Sequence, residues 1–150
     1  MDETLPEPMR LALEEARAAA LAEEVPVGAV VTRGGEIISR TRNRMRGSND
    51  PTGHAEMAAL RAAGEALGTS RLDDCEIWVT LEPCAMCAAA IGLARIRRLN
   101  FGAPDPKGGG VLHGPRLYEQ PTCHHRPEVV GPLAEAEAGE MLRAFFRARR

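Results

Sequence analysis

The chain has 150 residues with 44% apolar and 27% charged side chains, a balance that excludes a disordered polypeptide and suits one compact domain spanning residues 1–150. Nineteen basic residues against twenty-one acidic ones leave a formal charge of −2, and five residues are aromatic, which excludes a strongly cationic RNA-coating protein with an extended base-stacking platform. Pro83–Ala94, the longest uncharged run, is too short to span a membrane, and the acidic start Met1-Asp2-Glu3-Thr4 lacks the basic-then-apolar order of a secretory signal; a cytoplasmic protein is the expectation.

Leu11, Leu13, Ala16, Ala20 and Leu21 give an amphipathic helix from about Pro8 to Glu24, with the proline tolerated in its first turn. Val27-Gly28-Ala29-Val30-Val31 reads as a buried strand, Gly34-Gly35 as a two-residue turn, and Glu36-Ile37-Ile38-Ser39 as the second arm of a hairpin. Asn49-Asp50-Pro51-Thr52 breaks the chain, and Thr52 or a neighbour caps a helix reaching about Leu67. Ile77-Trp78-Val79-Thr80 is the next strand, Pro83 opens an alanine-rich helix, and Arg98-Leu99-Asn100-Phe101 is a further strand. Gly108-Gly109-Gly110 reads as a flexible loop, followed by a less regular stretch and a last helix from about Leu133 to Arg149. Strands alternating with helices predict an α/β fold whose mixed sheet has its first pair antiparallel and the rest parallel.

The chemistry concentrates in His54-Ala55-Glu56 and Pro83-Cys84-Ala85-Met86-Cys87. Cys84 and Cys87, three apart, project from one face of a helix and occupy its first turn, where unpaired backbone N–H groups and the helix dipole favour thiolates. His54 sits near the start of another helix, so two helix N-termini converge on one cation. Two thiolates and an imidazole are the ligand types zinc prefers, and three protein ligands leave a fourth position for water. Glu56 reaches past the metal toward that water as a proton shuttle. A redox pair, or a structural zinc completed by Cys75, Cys123 or a histidine, is the blander reading of the same cysteines.

His-x-Glu followed by Pro-Cys-x-x-Cys is the signature of the zinc deaminases, an already described system. With Glu24-Val25-Pro26-Val27-Gly28, Asp50-Pro51-Thr52-Gly53-His54-Ala55-Glu56, Val79-Thr80-Leu81-Glu82-Pro83-Cys84, Phe101-Gly102-Ala103 and the terminal Phe145-Phe146-Arg147-Ala148-Arg149-Arg150, almost the whole chain resembles the bacterial tRNA-specific adenosine deaminases of the cytidine/deoxycytidylate deaminase superfamily. The resemblance implies a three-layer αβα fold around a five-stranded mixed sheet, one Zn²⁺ per subunit, a homodimer, and conversion of the wobble adenosine of arginine tRNA to inosine. It also implies that Asn43, Ala55, Asp105, Phe145 and Phe146 contact the anticodon stem-loop, and that Glu56 moves the protons. Read without it, Asn43 ends a strand, Asp105 is a turn residue between Pro104 and Pro106, and at least one phenylalanine is core. Cys75, at a strand start, reads as a small buried residue, and His113, His124 and His125 as loop or structural ones.

Charge is blocked along the chain: residues 31–50 carry +3, 95–126 carry +4 and 143–150 carry +4, against −5 in 1–30 and −4 in both 51–94 and 127–142. Eighteen of the nineteen basic residues are arginine, suited to bidentate phosphate contacts. Arg40, Arg42 and Arg44 alternate on one strand face, as an RNA contact or as a solvated edge. Two competing functions remain open at this level: a guanine or cytidine deaminase acting on a free base or nucleoside, and a non-catalytic zinc-stabilised RNA-binding subunit, which the presence of Glu56 disfavours.

Overall fold

The computed structural model describes residues 4–149; Met1–Glu3 of the acidic start and Arg150 of the basic end lie outside these. The elements, in chain order, are α1 (Glu7–Leu21), β1 (Gly28–Arg33), β2 (Glu36–Arg42), α2 (Ala55–Leu67), β3 (Cys75–Leu81), α3 (Ala85–Leu93), β4 (Arg98–Ala103), a 3₁₀ turn (Leu117–Glu119), β5 (Glu128–Val130) and α4 (Glu135–Arg147). One five-stranded mixed sheet has the order β2-β1-β3-β4-β5. β1 is antiparallel to both of its neighbours, β2 and β3, while β3–β4 and β4–β5 are parallel, so the hairpin strand β1 alone opposes the other four.

The side-chain period of two in the strands builds the layers. Ala29 and Val31 of β1, Ile77 and Val79 of β3, and Leu99 and Phe101 of β4 pack with Ala55, Ala59, Leu60 and Ala63 of α2 and Ala88 and Ile91 of α3. Val30, between the first pair, and Trp78, between the second, belong to the opposite cluster with Met9, Ala12 and Leu13 of α1, Ala138 of α4 and its N-cap Ala134. The result is the three-layer αβα arrangement of a cytidine-deaminase-like fold. No helix among the described residues is long and apolar enough to cross a membrane.

Several expectations shift. Thr52 does not cap α2: its hydroxyl is turned to Asp50 Oδ1, and His54 occupies the N-cap position. α3 opens at Ala85 with Cys84 as its N-cap, two residues after Pro83, and α4 starts at Glu135 rather than Leu133. The irregular stretch contains the edge strand β5, too short at three residues to show a period. The triple glycine is not a loose loop: Gly109 and Gly110 are buried, Gly109 N–H donates to Asp105 O at 2.9 Å and Gly110 N–H to Pro83 O at 2.8 Å. A Cβ on Gly110 would come within 2.6 Å of Ala85 N, so close backbone approach, not flexibility, requires glycine there.

Candidate metal centre and the loops around it

The pairing directions put the C-terminal ends of β2, β3 and β4 at one end of the sheet, the usual place for a site in an open α/β sheet. β2 leads through residues 43–54 into α2, and β3 leads through Glu82, Pro83 and Cys84 into α3. The α2 N-terminus is tied to β2 by Thr41 Oγ1, which donates to Ala55 O at 2.7 Å, and by Ser39 Oγ, which donates to Ala59 O at 2.9 Å. Both helices therefore start at the same place, and their caps, His54 and Cys84, are two of the three donors expected for zinc.

His54 Nδ1 lies 3.6 Å from Cys84 Sγ and 3.4 Å from Cys87 Sγ, and the three donor atoms all fall within 4.8 Å of one another. Zinc bound to sulfur at about 2.3 Å and to imidazole nitrogen at about 2.0–2.1 Å in a tetrahedron places those atoms about 3.6 Å apart. The donor set thus fits a single zinc ion in both chemistry and spacing. The blander structural-site reading loses its fourth ligand, because among the described residues neither Cys75 nor Cys123 joins the cluster. Cys75 is buried at the start of β3, and Cys123 Sγ turns to His125 O.

The three donors share protons unevenly. Hydrogen bonding from the Cys87 thiol, then from His54, holds the Cys84 thiol down to about 4 against the effect of burial. Cys87 is pushed well above the ordinary thiol range, by that same hydrogen bond with Cys84 and by burial. His54 is raised by its hydrogen bond with Cys84. Glu56, in the first turn of α2 and 4% exposed, is a hydrogen-bonded neighbour of Cys87; burial pushes its carboxyl up to about 7, and the charge on Cys84 adds to this.

Asn43 directly follows β2 and is buried; its amide Nδ2 donates to Val25 O at 3.3 Å, while its buried Oδ1 has no partner among the described residues. A buried acceptor left unpaired is costly, which marks this oxygen as one that a ligand would satisfy. Ala55 is the first residue of α2, where backbone N–H groups lack intrahelical partners. Asp105 behaves here as a turn residue, its Oδ1 accepting from Lys107 N–H at 3.2 Å and Gly108 N–H at 3.0 Å. Phe145 is core, with the Arg149 guanidinium 3.5 Å from its ring centroid, whereas Phe146 is 46% exposed. His125 Nε2 pairs with Ile96 O, a structural role as expected. Arg40 and Arg42 stay partly exposed but are engaged by acids of α1: Arg40 pairs with Glu14 and Glu15, and Arg42 with Glu15.

Two acids that the sequence leaves inconspicuous organise the rim. Glu24 is buried and accepts from Arg46 N–H at 3.1 Å and Gly47 N–H at 2.7 Å, fixing the loop between Asn43 and His54. Glu82, immediately before Pro83-Cys84, has a side chain 0% exposed and accepts from four backbone N–H groups and the His113 ring. Burial raises its carboxyl, but the donors from Asp105, His113, Leu112 and Val111 outweigh this and leave it below the ordinary carboxylate range. A charged residue between the apolar run Ile77-Trp78-Val79 and Pro83 was the one sequence signal for Glu82.

The MafB19-like deaminase family matches residues 5–150. The chain is 58% identical over 142 residues to the tRNA-specific adenosine deaminase of Agrobacterium fabrum, covering 95% of this chain and 93% of that protein. It is 45% identical over 141 residues to the tRNA-specific adenosine deaminase of Bacillus subtilis, covering 93% and 86%. A solved structure of a tRNA:A34 deaminase, from work on A-to-I editing at the wobble position of transfer RNA, superposes with a TM-score of 0.89 at 57% identity, covering 90% of this chain and 98% of that one. The guanine deaminase of Bacillus subtilis superposes with a TM-score of 0.66 at 28% identity, covering 98% and 95%.

Proposed function

Because the chain belongs to the tRNA-specific adenosine deaminases within the MafB19-like deaminase family, we propose that it hydrolyses adenosine to inosine at the wobble position of the arginine tRNA anticodon, in the cytoplasm. The observation that carries the reading is a buried Glu56 carboxyl beside a His54/Cys84/Cys87 cluster of zinc-fitting geometry. The overall conversion is adenosine plus water to inosine plus ammonia.

Zinc, when held by His54, Cys84 and Cys87, supplies a water acidified to a pKa of about 7. Every proton movement then falls to Glu56. Its carboxylate takes the first proton of the attacking water and delivers it to ring N1 as the C6–O bond forms, then takes the remaining hydroxyl proton at C6 and passes it to the amino group, which leaves as ammonia as the C6–N bond breaks and C6=O forms. Burial holds the Glu56 carboxyl above the ordinary carboxylate range, which suits a group that must give a proton as well as take one. The unpaired Oδ1 of Asn43 accepts from a donor of the flipped nucleoside, and the Ala55 N–H at the α2 start helps hold the base. Phe146 is the exposed aromatic of the pair and offers its face to a loop base, while Asp105 meets the substrate backbone near the mouth.

The substrate class is supported by relatives matched over nearly their whole length. An anticodon loop presents an unstacked base at low unpairing cost, so one pocket suffices and few aromatics are needed. The family resemblance further implies a homodimer; Leu93, 81% exposed at the end of α3, and a neighbouring apolar cavity of about 330 Å³ provide such a partner with a surface.

The test is to incubate the zinc-loaded protein with an arginine anticodon stem-loop, with guanine and with cytidine. Inosine in the RNA alone supports the reading. Ammonia from free guanine gives the enzyme to the free-base deaminases, and no turnover of any substrate leaves a binding subunit.

A further inference from the structure

We propose that Glu82 is a positioning residue for the deamination site, fastening the segment 105–113 onto the turn that carries Cys84 and thereby setting affinity for the RNA substrate. The proposal rests on the deaminase reading above. Both oxygens of this buried carboxylate are committed: Oε1 accepts from Asp105 N–H at 2.9 Å and faces His113 Nδ1 at 2.8 Å, while Oε2 accepts from Val111, Leu112 and His113 N–H at 3.2, 2.9 and 3.2 Å. With that many donors, Glu82 has no oxygen free to exchange a proton with a substrate, so its role is not that of a catalytic residue.

One side chain thus grips both ends of a loop. Asp105 lies at one end and Val111–His113 at the other, and the loop between is drawn against the start of α3. There Gly110 N–H reaches Pro83 O at 2.8 Å, and a Cβ on Gly110 would stand 2.9 Å from the carbonyl carbon of Cys84. A Cβ on Gly109 would overlap the Glu82 carboxylate itself and approach Asp105 O to 2.6 Å, so the loop's glycine and the strand-end acid are shaped to each other. The outer side of the same loop is exposed at Pro106, Lys107 and Leu112, and Lys107 is the chain's one lysine. Charge-assisted bonds are the strongest a neutral loop can make to its support, and here they hold a cation and an apolar side chain beside the metal-bearing turn.

The test is amide hydrogen exchange on the zinc-loaded wild type, Glu82→Gln and His113→Ala, alongside zinc content and the kcat and KM for the arginine anticodon stem-loop. Glu82→Gln is expected to keep one zinc per chain, to speed exchange across 105–113 by about ten- to hundredfold, and to raise KM by about tenfold with a much smaller change in kcat. His113→Ala, which loses only the ring donor and keeps its backbone N–H, is expected to fall between. Exchange across 105–113 that matches wild type overturns the proposal, as does acceleration spread over the whole sheet with KM unchanged. If Glu82→Gln does not fold, His113→Ala decides: local exchange and KM rise together, or the proposal fails. A wild type that deaminates no RNA defeats the functional reading instead, and the exchange data alone then judge the fastening.

Discussion

Glu56 and Glu82 are both buried glutamates within a few residues of the metal ligands, and they end up on opposite sides of the ordinary carboxylate range. Glu56 sits at the start of α2 beside Cys87, where burial dominates and its carboxyl is pushed up to about 7. Glu82 sits at the end of β3, where backbone N–H groups and the His113 ring outweigh burial and keep it ionised. Burial alone therefore does not decide what a carboxyl does; the number of donors aimed at it does. The under-supplied one is left able to exchange protons near neutral pH, and the saturated one is spent on holding backbone.

The widest separation between the two comes from the same substitution at each. Glu56→Gln is expected to cut kcat by about 10²–10⁴ or more while zinc stays bound, because the shuttle carries several transfers; Glu82→Gln moves mainly KM. Equal losses of kcat in both would erase the distinction. Gly109→Ala attacks the saturated side from the loop, forcing a methyl group into the Glu82 carboxylate, and is expected to lower stability by about 1–3 kcal/mol in thermal or denaturant unfolding. The electrostatics of the Glu56 side can be sharpened through the ligands. Cys87 is raised, so it holds its proton in the metal-free protein and releases it when zinc binds; zinc affinity should tighten by at least about tenfold per pH unit through the neutral range, measured by chelator competition. The smallest effect belongs to a surface away from both glutamates: Arg40→Ala removes exposed ion pairs to Glu14 and Glu15, and should change stability by about 1 kcal/mol at most and leave the KM for RNA as it is.

The sequence made one of these glutamates visible and hid the other. Glu56 stands two residues from His54 in the His-x-Glu spacing that, together with Pro-Cys-x-x-Cys, points to a zinc site, and His54, Cys84 and Cys87 come together because each lies at or near a helix start. The hairpin, the αβα layering and four of the five strands follow from runs long enough to show a period. β5 was invisible because three residues carry no period, and it is the parallel pairing with β4 that makes it a strand. Glu82 was hidden because its partners lie 23 to 31 positions away, in a segment whose glycines look like looseness when taken alone. The same long-range logic applies to Arg40 and Arg42: alternation placed them on one face, but only packing shows that acids of α1 pair with them there. Phe145 and Phe146 divide between core and surface as helical spacing requires.

The most direct measurement is the inosine content at the wobble position of an arginine tRNA after incubation with zinc-loaded wild type and zinc-loaded Glu56→Gln side by side. The account predicts inosine at that position with the wild type, none with the variant, and one zinc per chain in both. Inosine formed by both proteins would contradict the assignment of the proton shuttle to Glu56, and inosine formed by neither would contradict the assignment of the substrate.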